Sequence, residues 1–425
     1  MAQPLPGGMV NFSEIDAGRS VSSTPEATAV RPRRFADTSA SVLLDLLRGV
    51  AAFLVLLEHW RNAFFVDYRD VAGSHALWLI FYAFSGAGHQ AVIVFFVLSG
   101  FFIGGTVLRA MEKDQWRWSA YLLRRLVRLW IVLLPALLMC LFWDKLGIRL
   151  GSAYGLYHGR AVNHILLNVS ELLSPHIFFA NLFFLQGILA PCFGSDGALW
   201  SLANEFWYYL LFPLGLVALY PSIRPARRIA SAVLFCLAAW FVRMPILIGF
   251  PIWLCGVLLV RLPPPRFTPQ AARRARIIAP LLYTPVFLYL AKSRSIGGAE
   301  SDYILTGFTC FLLWILLSAS EPHPLHSHYV RSSRGLARFS YTLYAVHTPM
   351  VVFLASVLVH DSRWQPTPAH FAAAAVVLIA VVAYSLGLAW LAEFRTDTVH
   401  DWLAQLLRVK PRTRLLPSNP SAEES

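Results

Sequence analysis

Residues 43–62, LLDLLRGVAAFLVLLEHWRN, decide the fold class of this chain. An apolar run of about twenty residues is long enough to cross the hydrocarbon core of a bilayer as a helix. Asp45 and Arg48 interrupt this run near its start, and Glu58 and His59 near its end. Ionisable side chains are costly inside a membrane and often mark a functional site. The alternative is that all four lie at the interfaces, where Arg48 snorkels and His59 joins an aromatic belt.

The composition extends this interpretation to the whole chain. Of 425 residues, 57% are hydrophobic and only 14% are charged, and long apolar runs recur as far as residue 393. We therefore predict an all-α polytopic membrane protein, since a β-barrel would show short alternating segments. The net charge of +13 would suggest nucleic acid in a soluble protein. Here the basic residues cluster between apolar runs, as the positive-inside rule requires, so we expect no nucleic-acid partner.

The positions of the basic loops between the apolar runs indicate how many of these runs cross the membrane. The apolar runs are 42–60, 90–108, 121–143, 176–190, 199–220, 228–244, 246–261, 277–291, 302–320, 339–360 and 369–393. If all of them crossed, the basic loops before and after 176–190 would face opposite sides. No run in the set is shorter, and this one contains Asn181 and Gly187. We therefore predict a bundle of about ten transmembrane helices, with 176–190 as a re-entrant or interfacial segment beside a cavity.

The remaining segments complete the predicted organisation. Residues 1–38 form a disordered cytosolic tail, 39–395 one membrane domain, and 396–425 a cytosolic C-terminal tail. Both termini are expected in the cytosol. The five cysteines are scattered without metal-ligand spacing, and the histidines of HPLHSH (323–328) are expected in a solvated loop. We therefore expect no metal site.

Arg48 and His59 are placed to act together on the first helix. They are eleven positions apart, a rotation of three turns plus about 20°, so their side chains share a face about 16 Å apart along the axis. Asp45 lies one turn before Arg48 and can pair with it. Glu58 points about 100° away from His59, which makes it a poor partner for the imidazole.

Two further apolar runs carry charge. Arg125 and Arg128, in YLLRRLVRLWIVLLP, lie one turn apart on one face and could bind phosphates, or could be flanking cytosolic charge. Glu205, in GALWSLANEFWYYLLFP, is a carboxylate within an apolar helix, preceded by Trp200 and Ser201. Such a group needs a partner, and a structural pairing with Arg48 is the alternative to a catalytic role.

Polar side chains recur at helical spacing in the run after residue 338, where the sequence is RFSYTLYAVHTPM. Tyr341, Tyr344 and His347 follow one another at intervals of three, which places them on one face. The structural alternative is a packing stripe whose hydroxyls are satisfied across helices. In FFVLSGFFIGG, Ser99 is followed by glycines, a pattern typical of close helix packing.

These stretches, in this order, resemble the acyltransferase 3 family of membrane O-acyltransferases, the type that O-acetylates bacterial glycans and exopolysaccharides. The family's Arg-x10-His pair falls on Arg48 and His59, and its Arg-x-x-Arg on Arg125 and Arg128. Its Trp-Ser-Leu…Glu motif and its Ser-Tyr-x-x-Tyr-x-x-His motif fall on the following positions: Trp200, Ser201, Leu202, Glu205, Ser340, Tyr341, Tyr344 and His347. The resemblance spans roughly residues 38–395 and implies a ten-helix bundle in the inner membrane.

The resemblance also implies a reaction. The family moves an acyl group, commonly acetyl from cytosolic acetyl-CoA, to a hydroxyl of a cell-surface or lipid-linked glycan. We expect acyl-CoA as co-substrate, no tightly bound cofactor, and membrane lipid, the glycan and polysaccharide assembly proteins as partners. His59 is the expected general base, with Arg48 orienting the donor or stabilising charge, and Arg125 and Arg128 binding acyl-CoA. Glu205 could orient His59, pair with Arg48 or hold the acceptor.

Asp45, Ser99 and the remaining motif residues are secondary candidates for the site. They are Trp200, Ser201, Tyr341, Tyr344 and His347. Two other functional classes remain open. A transporter of acyl groups or glycans also needs charges at the midplane, but it predicts inverted-repeat symmetry that this sequence does not display. A non-catalytic membrane component of a polysaccharide assembly complex predicts that Arg48 and His59 tolerate replacement.

Overall fold

The computed structural model describes residues 38–73, 75–150, 155–158, 168–318, 327–360 and 362–409. These residues form helices joined by short connections, with isolated bridges in place of strands. The helices are α1 Ser39–Phe64, α2 Leu79–Ser85, α3 Gly88–Ser99, α4 Gly105–Glu112, α5 Trp118–Leu150, α6 Pro175–Leu182, α7 Trp200–Leu219, α8 Pro225–Leu259, α9 Pro269–Gly297, α10 Ala299–Leu316, α11 His328–Leu358, α12 Pro368–Leu391 and α13 Thr396–Leu406. The predicted tail 1–38 lies almost wholly outside the described residues.

Within the described residues, nine helical stretches are long and apolar enough to cross a membrane. One of them, α8, has 35 residues, a length of about 52 Å that exceeds the hydrocarbon core of about 30 Å. Its backbone leaves the helical region at Arg243, where φ is 64° and ψ is 175°. The break divides α8 into two halves, which correspond to the predicted runs 228–244 and 246–261.

Contacts with α7 show that the two halves of α8 run in opposite directions. In the first half, Phe241 packs on Trp207, and Arg228 donates a hydrogen bond to the carbonyl of Ala218. In the second half the order is reversed, because the Tyr208 hydroxyl bonds the Ile246 carbonyl and Phe212 packs on Trp253. Therefore α8 is a hairpin, and the described residues contain ten apolar helical segments. This number agrees with the predicted bundle of about ten helices.

The neighbouring helices run in the directions that an alternating path requires. Helix α1 is parallel to α11, since Arg48 bonds the Ala337 carbonyl and His59 contacts His347 further along both helices. Helix α12 is antiparallel to α11, since the Glu393 carboxylate beyond the end of α12 accepts a hydrogen bond from Thr342 in α11. When the apolar segments are numbered along the chain, those with odd numbers are therefore parallel to one another, and those with even numbers are antiparallel to them. Which face is cytosolic stays a prediction.

The run 176–190 does not form a spanning helix. Its helical part is α6, whose 8 residues extend only about 12 Å. The buried Asn181 amide ties the segment together by bonding the Ile177 and Pro191 carbonyls. Burial and the nearby Asp144 carboxylate raise the pKa of Asp196 well above its usual value. Asp196 and the neighbouring Ser195 are buried, so the connection into α7 is covered by protein.

Glycines allow α3 and α4 to approach the second half of α8 closely. A Cβ on Gly100 would collide with the Trp253 carbonyl, and one on Gly256 would collide with the Val97 carbonyl. The backbone between α3 and α4 forms a π-helical turn at Gly100–Gly104. Such turns are uncommon and are frequent at functional sites. This one directly follows Ser99, a predicted site residue.

Replacing Gly256 by alanine should destabilise the bundle. The added methyl must displace the backbone of α3, which typically costs about 1–3 kcal/mol. Thermal unfolding in detergent or nanodiscs, followed by loss of the monodisperse species, would measure the change. Gly387→Ala in α12 is the matched control, because a Cβ there meets no atom within 4 Å. Equal melting temperatures for the two variants would contradict the close packing.

Candidate functional site

A cavity of about 330 Å³ lies in the middle of the bundle, between α1, α3, α5, α7 and α11. Its lining combines cations, a carboxylate and hydroxyls with aromatic and aliphatic side chains. The polar lining residues are Arg48, Ser99, Thr106, Arg109, Arg125, Arg128, Ser201, Glu205, Tyr209, Ser340, Tyr341 and Tyr344. The cavity therefore gathers residues from all four sequence motifs, although the first and the last of these motifs lie almost 300 positions apart in the chain.

Arg48 enters the cavity from α1. One guanidinium nitrogen donates to the Ala337 carbonyl of α11 at 3.0 Å, and the same nitrogen lies 3.5 Å from the Asp45 carboxylate. The predicted pairing of Asp45 with Arg48 is therefore present. The buried Nε of Arg48 has no hydrogen-bond partner in the described part of the chain. The side chain is thus held at one end and retains a donor for a ligand.

Glu205 has partners other than those considered from the sequence. Its Oε1 accepts hydrogen bonds from the Ser99 hydroxyl at 2.8 Å and from the Tyr209 hydroxyl. Ser99 in turn accepts a hydrogen bond from the Trp253 indole at 3.1 Å. These bonds connect α3, α7 and the second half of α8. Neither Arg48 nor His59 is among the hydrogen-bond partners of Glu205 in the described residues, and its role stays a prediction.

The stripe on α11 is hydrogen-bonded across helices. The Tyr344 hydroxyl lies 2.6 Å from the Ser201 hydroxyl and 2.9 Å from the Ala198 carbonyl, at the start of α7. Tyr341 reaches the Leu129 carbonyl of α5 at 3.4 Å. These bonds fit the packing interpretation of the stripe. Both tyrosines also line the cavity, as the functional interpretation requires.

His59 lies beside this cavity without lining it. Its Nδ1 is 3.1 Å from Nε2 of His347, and the two imidazole rings meet edge to face with centroids 5.0 Å apart. The His347 ring is also 6.3 Å from the ring of Tyr344, one turn earlier on α11. The histidine pair is therefore adjacent to the Tyr344 end of the cavity. Glu58 points elsewhere and accepts the backbone N–H of His89 at the start of α3.

A second cavity of about 450 Å³ adjoins the first and shares Thr106 and Arg125 with it. Its other polar lining residues are Asp114, Gln115, Trp116, Arg117, Tyr121, Arg124 and His400. The guanidinium of Arg125 stands between the cavities, 5.8 Å from the ring centroids of both Tyr121 and Tyr209. Its buried Nε and the buried indole nitrogen of Trp116 have no hydrogen-bond partner among the described residues.

Two features of the site were not predicted from the sequence. Tyr209, which bonds Glu205, could have been found because it lies four residues further along the same helix. His400 belongs to α13, which packs against α5 and lines the second cavity, whereas the sequence assigned 396–425 to a tail. The helix α13 within that predicted tail was not predicted. Conversely, the predicted Trp200 lies outside both cavities and stacks on His89, with ring centroids 6.2 Å apart.

The structure is thus a polytopic helical bundle whose central cavity is lined by arginines and adjoins a histidine pair. Residues 42–387 match the family model described as an acyltransferase domain, acyltransferase 3. This chain belongs to that family and is a membrane acyltransferase. All predicted catalytic and acyl-CoA-binding residues lie within the matched range. Searches of curated proteins and of solved structures found no match.

Replacing Ser99 by alanine should weaken the cavity wall. The change removes a donor from Glu205 and an acceptor from the Trp253 indole, and a buried polar group left unpaired costs about 1–3 kcal/mol. Thermal unfolding would measure the loss. Ser385→Ala is the control, because that buried hydroxyl bonds only the Val381 carbonyl of its own helix among its described partners. A Ser99 variant as stable as the control would contradict this role.

Proposed function

We propose that this protein transfers an acyl group, acetyl as the family's usual choice, from cytosolic acyl-CoA to a hydroxyl of a cell-surface or lipid-linked glycan. The observation that carries the proposal is the pair of adjoining cavities that meet at Arg125. Family membership supports the acyl-transfer class. The donor, the acceptor and the base are parts of this proposal, as are the bacterial inner membrane and the cytosolic termini.

The shape and charge of the two cavities fit an acyl-CoA molecule. The second cavity is lined by three arginines, Arg117, Arg124 and Arg125. It also contains the indole of Trp116, which could stack on adenine. Guanidinium groups bind phosphates through two parallel hydrogen bonds. The nucleotide end of the donor would lie there, with its phosphates at the junction, between Arg125 and the Arg128 side of the first cavity. The thin pantetheine arm would pass Arg125 and carry the thioester towards Tyr344.

The acceptor hydroxyl would then attack the thioester carbon. A hydroxyl is a weak nucleophile at neutral pH, so a base must take its proton as the new C–O bond forms. His59 is the proposed base, and Arg48, about three turns earlier on α1, would orient the donor. As the tetrahedral species collapses, the C–S bond breaks and the proton returns from His59 to the sulfur of CoA. A relay through an acyl-histidine is the variant of this mechanism.

Two other functions make different demands on the same residues. A transporter of acyl groups or glycans would move its cargo without forming a new ester. A non-catalytic component of a polysaccharide assembly complex would need neither His59 nor Arg48 for its contacts. The hydrogen-bonded site around Glu205 and the adjoining basic cavity favour the enzyme, because neither alternative requires a basic cavity that adjoins a polar one.

Deleting the gene should remove one acyl group from a surface glycan, and the His59→Ala variant should fail to restore it. The physical reason is that without the base the acceptor oxygen remains protonated during attack, which typically lowers the rate about 10²- to 10⁴-fold. Mass spectrometry of surface glycans would identify both the acyl group and the sugar that loses it.

His360→Ala is the matched control, since that histidine is exposed and lies outside the cavities. Full acylation with His59→Ala would refute the proposed base in both the direct and the relay mechanisms. A stable acyl adduct on His59 in the absence of acceptor would refute direct transfer and support the relay. Unchanged glycans in the deletion strain would refute the glycan acceptor.

Arg124→Gln should raise KM for acyl-CoA about 10-fold while kcat stays unchanged. Losing one hydrogen bond to a charged group costs about 1.5–3 kcal/mol, and this bond would be present in both the ground state and the transition state. Steady-state kinetics in nanodiscs would measure the change. Arg273→Gln is the control, because that arginine is exposed and lines neither cavity. Equal KM values for the two variants would refute the nucleotide site.

A further inference from the structure

His59 and His347 lie on different helices, and their imidazole rings contact each other. His347 is fully buried, and its Nε2 lies 3.1 Å from Nδ1 of His59. Helix α1 supplies one imidazole and α11 the other, so the contact joins residues 288 positions apart. The proposed function uses His59 alone and leaves the second histidine without a task.

Backbone carbonyls determine where each imidazole carries its proton. Nδ1 of His347 lies 2.8 Å from the Leu343 carbonyl, and Nδ1 of His59 lies 3.0 Å from the Val55 carbonyl. A carbonyl oxygen can only accept, so in each ring Nδ1 must be the protonated nitrogen. An imidazolium without a counter-ion is costly to bury, and His347 is therefore neutral with an unprotonated Nε2. This Nε2 accepts from the Nδ1–H of His59.

We propose that His347 is a positioning residue for His59, an inference that rests on the proposed function. The hydrogen bond from His59 Nδ1–H to His347 Nε2 leaves the lone pair on Nε2 of His59, the nitrogen available to an acceptor hydroxyl. The same bond stabilises His59 after it has taken a proton, because the Nδ1–H of an imidazolium is a stronger donor. A second acceptor beside the Val55 carbonyl thus orients the base and supports its charged form.

The proton balance of the reaction is unchanged by this role. The acceptor O–H bond breaks as the proton moves to His59 Nε2, and the Nδ1–H stays on His59 throughout. His347 neither gains nor loses a proton. When CoA leaves, the proton on His59 Nε2 passes to the sulfur, and the neutral pair is restored.

Two substitutions separate positioning from packing. Gln places its amide oxygen near the site of Nε2 in histidine, whereas Asn places its amide near Nδ1. His347→Gln therefore keeps an acceptor for His59, and His347→Asn keeps only the contact with Leu343. We expect His347→Asn to lower kcat about 10- to 100-fold with KM for acyl-CoA unchanged. His347→Gln should recover most of that loss.

Kinetics in nanodiscs, with melting temperatures measured on the same samples, would test the proposal. Equal kcat values for the Asn and Gln variants would overturn it, since a packing role does not distinguish an acceptor at Nε2. Thr348→Val tests the competing donor, because the Thr348 hydroxyl lies 3.3 Å from His347 Nε2. If Thr348→Val lowered kcat as much as His347→Asn does, the proposal would also be overturned. A Thr348→Val variant with the kcat of the wild type would support it.

A spectroscopic readout distinguishes this proposal from the proposed function. Nitrogen-15 spectra of histidine-labelled protein, assigned by comparison with His59→Gln, should show His59 protonated at Nδ1 in the wild type. The Nδ1 chemical shift should change in His347→Asn, where that proton keeps only the Val55 carbonyl as acceptor. Protonation at Nε2 in the wild type would refute the inference. If the wild type transfers no acyl group while the Nδ1–H tautomer is present, the proposed function fails and the pairing stands.

Discussion

The parallel packing of α1 against α11 is the interaction on which the candidate site depends. Near one end of the contact, Arg48 bonds the Ala337 carbonyl, and about three turns further on His59 meets His347. Burying an arginine in a bilayer costs several kcal/mol unless polar atoms surround it. Helix α11 supplies those atoms at the Arg48 end and an imidazole acceptor at the other. A shift of α11 along α1 would remove both contacts at once, so both depend on the register of this helix pair.

The rest of the bundle supports this pair by bringing a second set of helices close. Glycines on α3 and on the second half of α8 remove the side chains that would separate the two backbones. The π-helical turn beside Ser99 then directs its hydroxyl at Glu205, and the Trp253 indole holds that hydroxyl from the other side. Without a hydrophobic driving force between helices in lipid, such close contacts and interhelical hydrogen bonds supply the association energy. The carboxylate wall of the cavity is therefore a consequence of small residues on neighbouring helices.

The sequence predicted what local periodicity and charge control. Run lengths and basic loops gave the helical bundle and the short segment 176–190, and one-turn spacing gave the pairing of Asp45 with Arg48. It could not predict the bond from Ser99 to Glu205 or the contact between His59 and His347, because those depend on the register between helices far apart in the chain. The helical periodicity of α1 predicted that His59 and Arg48 share one face. It could not predict which neighbouring helix packs against that face. The order of the motifs, and not their geometry, indicated the family.

The distribution of charge along the two cavities explains why one bundle could hold both ends of a long donor. Arginines line the second cavity and continue through Arg125 into the first, whose wall also holds Arg48, Arg109 and Arg128. The Tyr344 and Ser201 hydroxyls stand at the end of the first cavity that adjoins the histidine pair. A polyanionic head would be retained where the cations are, because guanidinium groups bind phosphate strongly, and an uncharged thioester would lose little on entering the neutral end. A cation beside His59 would instead oppose the positive charge that a base acquires. Donor binding at the arginines and proton transfer at His59 would therefore occur at different points of one continuous site.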